Sequence, residues 1–334
     1  MTDTEDEVRL EIQEARREIN LAVTKALIGA PKPVNEMTNH LAGTLGKGVR
    51  SLLLLYAAAG EDNLVPKDAV PLAAAIELFH MATLVHDDVI DDASVRRGMA
   101  TVQNRFGKKH AVICGDYLLC LAASLIAPLQ ASYGKQEDYE EYKSLFPVFV
   151  SSIGRTCLGE LRQLKNNRNT VLDVFEYLRI VSGKTAALFY VSALSGALCC
   201  RLSLKEAKRL ARFGRYLGMV FQIVDDCKDF EMRENEAQKT VGKDIAEGVV
   251  TLPLIYAIKS SPELADLAKQ AFLDTSYAEK LTKAVVFAGG TEKAHVLARR
   301  YAEKAERQLT GFPESKTRPL SMLLNKSLNS AGAF

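Results

Sequence analysis

Apolar positions recur along this chain at helical rather than strand spacing. In residues 204–226, LKEAKRLARFGRYLGMVFQIVDD, the side chains of Leu210, Gly214, Leu217, Phe221 and Val224 fall on one stripe, while Lys205, Lys208, Arg209, Arg212 and Arg215 lie largely off it. That is an amphipathic helix with a solvated basic face. Residues 8–27 and 285–309 read the same way. Alternating β-branched runs bounded by turn pairs are scarce. Glycine and proline fall mostly between the helical stretches, as at residues 29–33 and 311–315. Residues 111–129, AVICGDYLLCLAASLIAPL, are nearly apolar and long enough to span a bilayer. Asp116 interrupts them and no second such span flanks them, so they predict a helix buried on all sides, not a transmembrane segment. With no low-complexity linker and no fixed-period repeat, the pattern predicts one all-α domain over residues 1–334.

Composition narrows the partners. The chain has 334 residues, 48% of them hydrophobic, enough for a sizeable core. A formal charge of +2 argues against a nucleic-acid partner. The opening MTDTEDEVRL is acidic where a signal peptide is basic and then apolar, which predicts a cytoplasmic protein. Six cysteines (Cys114, Cys120, Cys157, Cys199, Cys200, Cys227) show no CxxC spacing and read as reduced core residues, with neither disulfide nor zinc.

Chemistry enters with LVHDDVIDDASVRRG, residues 84–98, where Asp87, Asp88, Asp91 and Asp92 crowd the end of an apolar helical run and Arg96 and Arg97 follow. His80, Asp87 and Asp91 share a helical face, and the two carboxylates, one turn apart, reach the same point in space. Like charges so close repel, and a helix C-terminus disfavours them further. A divalent cation removes both problems: Mg²⁺ takes hard oxygen ligands, often one or two carboxylates plus substrate phosphates. One such cluster is equally a solvated helix end. A second, FQIVDDCKDF, repeats the spacing with Asp225, Asp226 and Asp229 about 140 residues later. Paired, the two can hold metal ions between helices of a bundle. A general acid and base of the glycosidase kind needs one pair of carboxyls, a poor match to the six of two DDxxD motifs.

Basic residues answer the acids. GTLGKGVRSLLLL, residues 43–55, sets Lys47 and Arg50 at the start of an apolar helix, where the helix N-terminus itself favours anions. GKT at residues 183–185 lacks the first glycine of a P-loop. QKTVGKD, residues 238–244, carries Lys239 and Lys243. Taken in order, GKGVR, HMATLVHDDVIDDASVRRG, GDYL, GKT, FQIVDDCKDF and VGKDIAEGVVTLPLIYA resemble the trans-isoprenyl (polyprenyl) diphosphate synthases, over roughly residues 47–256.

The resemblance implies a single large antiparallel helix bundle around a central cavity, commonly a homodimer. It implies isopentenyl diphosphate and an allylic diphosphate as substrates, several Mg²⁺ ions per active site, and membrane contact only through the product. Asp87, Asp91 and Asp225 match the metal ligands, with Asp88, Asp226 and Asp229 completing the catalytic motifs. Lys47, Arg50, His80 and Arg97 match the isopentenyl diphosphate site; Arg96, Lys184, Thr185, Gln222 and Lys239 match the allylic diphosphate site, Lys184 also counting as catalytic. In the family, metal stabilises the departing allylic diphosphate, the double bond of isopentenyl diphosphate attacks the carbocation, and the released diphosphate serves as base. Val249 stands where many relatives carry a lysine, and Lys243, in GKD, is a candidate substitute. Phe79, Ala82 and Thr83 fall where the family sets chain length; Ala82 and Thr83 are small, which predicts products from geranylgeranyl to heptaprenyl or octaprenyl. Two alternatives share the motifs in part. A terpene cyclase usually carries an Asn/Ser/Glu second metal motif, unlike DDxxD here. A hetero-oligomeric synthase has a subunit without aspartate motifs, so this chain would be its catalytic half.

Overall fold

The computed structural model describes residues 9–43, 46–129, 145–231 and 243–329. Helices dominate it: α1 (Ile12–Ile28), α2 (Lys32–Ala42), α3 (Val49–Ala58), α4 (Ala69–Ile90), α5 (Val102–Phe106), α6 (Lys108–Ile126), α7 (Leu145–Lys165), α8 (Val174–Lys184), α9 (Ala186–Cys199), α10 (Leu204–Glu231), α11 (Lys243–Glu247), α12 (Leu252–Ser260), α13 (Leu264–Ala271), α14 (Ala278–Phe287), α15 (Gly290–Leu309) and α16 (Glu314–Asn329). The described strands are two short antiparallel pairs, β1 (Arg9–Glu11) with β2 (Leu64–Pro66) and β3 (Val95–Arg96) with β4 (Met99–Ala100). The all-α class is as the periodicity predicts.

Chain contacts gather into two compact units. The first comprises residues 1–150, 191–211 and 311–320; the second comprises residues 151–190, 212–310 and 321–334. In the first, α4 packs against α6, α1 and α3. It can do so closely because Ala73, Ala74 and Ala75 are small and fully buried. Against α6 the approach is closer still: a Cβ on Gly115 would sit 2.2 Å from Nε2 of His86, so any larger residue must push the His86 ring aside. The α1 stripe of Ala15, Ile19, Val23 and Leu27 recurs every fourth residue and is buried. In the second unit, α7 and α8 meet backbone to backbone, since a Cβ on Gly159 would lie 2.2 Å from the Lys184 nitrogen. There α15 buries Ala294, Ala298, Ala302, Ala305 and Leu309.

Several expectations need correction. Helix α6 is not buried on all sides: Ala111, Cys114, Leu118 and Ala122 face inward, while Val112 is 40% and Ile113 65% exposed. The expectation of burial on all sides fails there because both faces are apolar, and apolarity alone does not say which face is covered. Nor is it the sole long apolar helix, since α4 is also long and apolar enough to span a membrane, with 67% of its most apolar window buried. All six cysteines are free, but Cys120 and Cys157 are exposed rather than core. The helix expected from residue 8 starts at Ile12, because Arg9–Glu11 pair with β2 and Arg9 Nη1 donates to Asp62 Oδ2 at 2.6 Å. The stretch 285–309 is two helices, broken where Gly289 turns left-handed at φ 72°.

Candidate active site

Helix α4 carries the first acidic cluster at its C-terminal end. Each residue turns a helix by roughly 100°. Glu77, His80, Leu84 and Asp88 therefore run down one side of α4, and Phe79, Ala82, Thr83 and His86 down another. Asp87 falls at the edge of the first side, and Asp91, the residue that follows the helix, continues that side in line with His80 and Leu84; both are half-buried. Asp91 caps the helix, its N–H donating to the Asp87 carbonyl at 2.8 Å. Asp88 is buried and accepts from Arg96 Nε at 2.7 Å, so this carboxylate already has a cation. Exposed Asp92 pairs with Lys108 Nζ at 2.8 Å, which holds its carboxyl below the usual range.

A cleft in the first unit runs along the Glu77 side, lined by Gly46, Ser51, His80, Arg96 and Arg97 together with the apolar Val23, Leu41, Met81 and Val85. Arg97 reaches it from the β3–β4 hairpin, whose two turn residues, Arg97 and Gly98, have φ of 52° and 77°. Two positive φ values make the tight turn that matches strand twist, and glycine is at home there while arginine is not. The Arg97 guanidinium lies over Gly46, where a Cβ would come within 2.9 Å of it. Arg50 is drawn down to about 10, first by burial, against the pull of Glu77 and with the push of Arg97. His80 is pushed well below its ordinary 6.5 by burial and then by Arg50, Arg97 and Arg96, which keeps the ring neutral. Thr83 donates its hydroxyl to the His80 carbonyl at 2.8 Å. The fold thus brings Arg50, His80 and Arg97 together. Lys47 is exposed and lies two residues ahead of α3, not in it, because Gly48 takes a left-handed φ of 66° before the helix begins. The anion expected at that helix start is the protein's own: Glu77 Oε1 accepts from the Ser51 N–H at 3.0 Å.

The second cluster occupies the last turns of α10, in the second unit. Asp225 pairs with Lys228 Nζ at 3.2 Å. Asp226 is buried; Tyr177 donates to its Oδ2 at 2.5 Å and Gln222 Nε2 to its Oδ1 at 2.7 Å. Burial pushes Asp226 up to about 7 despite those two donors, and neighbouring Asp225 adds to the rise. Gln222 in turn accepts from Thr185 Oγ1 at 2.6 Å. Asp229 Oδ2 accepts from the Asp244 N–H at 3.0 Å, and burial with Asp229 and Asp226 holds the Asp244 carboxyl well above the carboxylate range. Lys184, the last residue of α8, pairs with Glu160 Oε2 at 2.8 Å. Lys239 lies outside the described residues.

Among the described residues no three His, Cys, Asp or Glu side chains form a ready metal cage. The donors on offer are hard carboxylate oxygens in pairs, the set that suits a cation arriving with phosphate oxygens of its own. Tyr177, Glu160, Glu77 and Asp244 are additions to the sequence reading. Asp244 alone had a local signal, in the GKD that follows the second cluster.

A model of the polyprenyl synthetase family matches residues 31–287. The chain is 35% identical over 291 residues to heptaprenyl diphosphate synthase component 2 of Geobacillus stearothermophilus, covering 86% of this chain and 87% of the relative. It matches the crystal structure of heptaprenyl diphosphate synthase from Staphylococcus aureus with a TM-score of 0.85 at 27% identity, over 96% of this chain and 99% of that one. A polyprenyl synthase from Caulobacter crescentus CB15, crystallised with calcium and isoprenyl diphosphate, matches with a TM-score of 0.84 at 27% identity, over 95% of this chain and 94% of that one. The family match takes in both acidic clusters, the hairpin arginines and the Gly-Lys-Thr turn, and with it the chain belongs to the polyprenyl synthetase family and is a prenyltransferase.

Proposed function

We propose that the protein is a Mg²⁺-dependent, all-trans polyprenyl diphosphate synthase that joins isopentenyl diphosphate head-to-tail to an allylic diphosphate, making products of geranylgeranyl length or longer. The observation that carries this reading is the C-terminal end of α4: a carboxylate pair, Asp87 and Asp91, beside a cleft lined by Arg97 and a neutral His80 that also feels the charge of Arg50. Carboxylates suit a cation-bound diphosphate and the arginines a second, bare one, so one helix serves two anions in different ways. Asp87, Asp91 and Asp225 are the proposed ligands, and bound Mg²⁺ supplies Lewis-acid stabilisation of the leaving diphosphate. Asp88 keeps Arg96 in place beside the pair. Lys47, Arg50, His80 and Arg97 hold isopentenyl diphosphate; neutral His80 donates one N–H without adding a buried charge. Arg96, Lys184, Thr185, Gln222 and Lys239 serve the allylic diphosphate. Asp226 and Asp229 orient the second motif.

Product length is set by Phe79, Ala82 and Thr83. Ala82 has no exposed surface, and Phe79 packs edge-on against Phe149 with ring centroids 5.7 Å apart, a firm floor. The heptaprenyl relatives support products longer than farnesyl. The reaction is read as cytoplasmic, with membrane contact through the product alone. The exposed apolar face of α6 supports a homodimer. A second reading, the catalytic half of a hetero-oligomer, is favoured by the component 2 relative. One experiment tests both: the chain purified alone, with Mg²⁺, radiolabelled isopentenyl diphosphate and each allylic primer, its dephosphorylated products resolved by chromatography. Prenyl products longer than farnesyl support the synthase. Their absence until a partner is added supports the second reading.

A further inference from the structure

Tyr177 stands outside every motif that the resemblance supplies, yet it ends a chain of hydrogen bonds that leads to two proposed allylic-site residues. It lies on α8, 3% exposed, with its hydroxyl on Asp226 Oδ2. The chain runs on through Asp226 Oδ1, the Gln222 amide and the Thr185 hydroxyl, with contacts of 2.5, 2.7 and 2.6 Å. Its polarity follows from the donors: Tyr177 donates to one Asp226 oxygen and the Gln222 NH₂ to the other, which leaves the Gln222 carbonyl to accept from the Thr185 hydroxyl. The amide is therefore held only as firmly as the carboxyl, whose terminal torsion is intrinsically broad. Gln222 sits one helical turn before Asp226 and grips one oxygen; the other oxygen is gripped by Tyr177, from a different helix. Thr185, at the far end, caps α8 directly after Lys184.

We propose that Tyr177 is a positioning residue for the allylic half of the reaction, acting through Asp226 to fix the Gln222 amide and the Thr185 hydroxyl beside Lys184. The inference rests on the synthase reading. It differs from a mere brace between α8 and α10 in being selective, because the isopentenyl cleft of Arg50, His80 and Arg97 shares none of these side chains.

Tyr177→Phe keeps the ring and removes the hydroxyl. In the full-length enzyme with Mg²⁺, kcat and KM are measured for each substrate, alongside calorimetric binding of inorganic diphosphate. Loss of a hydrogen bond to a charged group predicts a roughly ten- to hundredfold fall in kcat/KM for the allylic substrate. Diphosphate binding should weaken, and KM for isopentenyl diphosphate should stay within about twofold. Gln222→Met leaves the Tyr177–Asp226 contact in place and should show the same selective loss; the double variant should lose little more than either single one. Wild-type kinetics in Tyr177→Phe, equal losses for both substrates, or additive losses in the double variant each overturn the proposal. If Tyr177→Phe melts below the assay temperature, the same kinetics are read at a temperature below its melt, where the selectivity decides. A wild type that makes no prenyl diphosphate, alone or with a partner subunit, overturns the synthase reading and this inference with it; an active wild type with an indifferent hydroxyl overturns this inference alone.

Discussion

Ala82→Phe puts the proposed product floor to a direct test. Ala82 is five residues before Asp87 and Phe79 eight. At about 1.5 Å of rise per residue those levels lie roughly 7.5 and 12 Å below the aspartate, so moving the floor from Phe79 to position 82 raises it by about 4.5 Å. An extended isoprene unit, four carbon–carbon bonds long, advances roughly 5 Å. The longest product of Ala82→Phe should therefore be at least about one isoprene unit shorter than one stopped at Phe79, and shorter by more if the native tail passes Phe79. The site has no slack for a ring, since Ala82 is fully buried. Overpacking of this kind costs about 1–3 kcal/mol, which a denaturant melt will register separately from the product change. Phe79→Ala should act oppositely: it deletes roughly six carbons of wall, close to one isoprene unit, and lengthens the ladder. The assay is chromatography of dephosphorylated products from the three proteins under one set of conditions. A wild type that stops at farnesyl, or three identical ladders, would refute the floor.

Asp87→Asn and Asp225→Asn should each cut turnover by several orders of magnitude while far-UV circular dichroism stays unchanged; near-normal turnover with an unaltered Mg²⁺ dependence removes that residue from the ligand set. Lys47→Ala and Arg97→Ala should chiefly raise KM for isopentenyl diphosphate, and Lys184→Ala should chiefly weaken the allylic substrate, so equilibrium binding of each ligand to each variant separates the two sites. The folded His80 ring titrates well below 6.5. Between that value and 6.5 the unfolded chain binds the extra proton, so this residue's contribution to stability is full above pH 6.5 and declines as pH falls. A diphosphate bound beside Arg50 and Arg97 should raise the His80 value, which an imidazole NMR titration with and without ligand will follow; a fall on binding contradicts the assignment. Gly115→Ala would set a Cβ 2.2 Å from Nε2 of His86, so the ring must move and give up its contact with the Val112 carbonyl, a loss of about 0.5–1.5 kcal/mol in a denaturant titration.

What the chain reveals before it folds is what depends on near neighbours. Helical stripes such as Ala15, Ile19, Val23 and Leu27 are local patterns, and so are the two aspartate clusters and the basic residues that follow them. Residues that act across long separations leave no such trace. Tyr177 and Asp226 are 49 positions apart and Glu77 and Ser51 are 26 apart, so neither contact has a spacing rule behind it. The start of α3 shows how one backbone torsion escapes a pattern. Lys47 and Arg50 have helical spacing, but the left-handed Gly48 between them leaves Lys47 outside the helix. Helix α6 misleads for a different reason. Apolar residues fill both its faces, and periodicity cannot separate a helix buried within its own chain from one that keeps a face for something else.

The left-handed Arg97 has a consequence for anyone improving this protein in the laboratory. An L-residue with a Cβ gives up roughly 1–2 kcal/mol in that conformation, and glycine gives up almost none of it. Directed evolution scored on heat resistance alone should therefore collect Arg97→Gly early and register it as a gain. The winning clones would keep the hairpin and discard the guanidinium that it carries to the cleft. Thermostable libraries of this protein need a turnover screen at every round, and position 97 is where the two scores should first diverge.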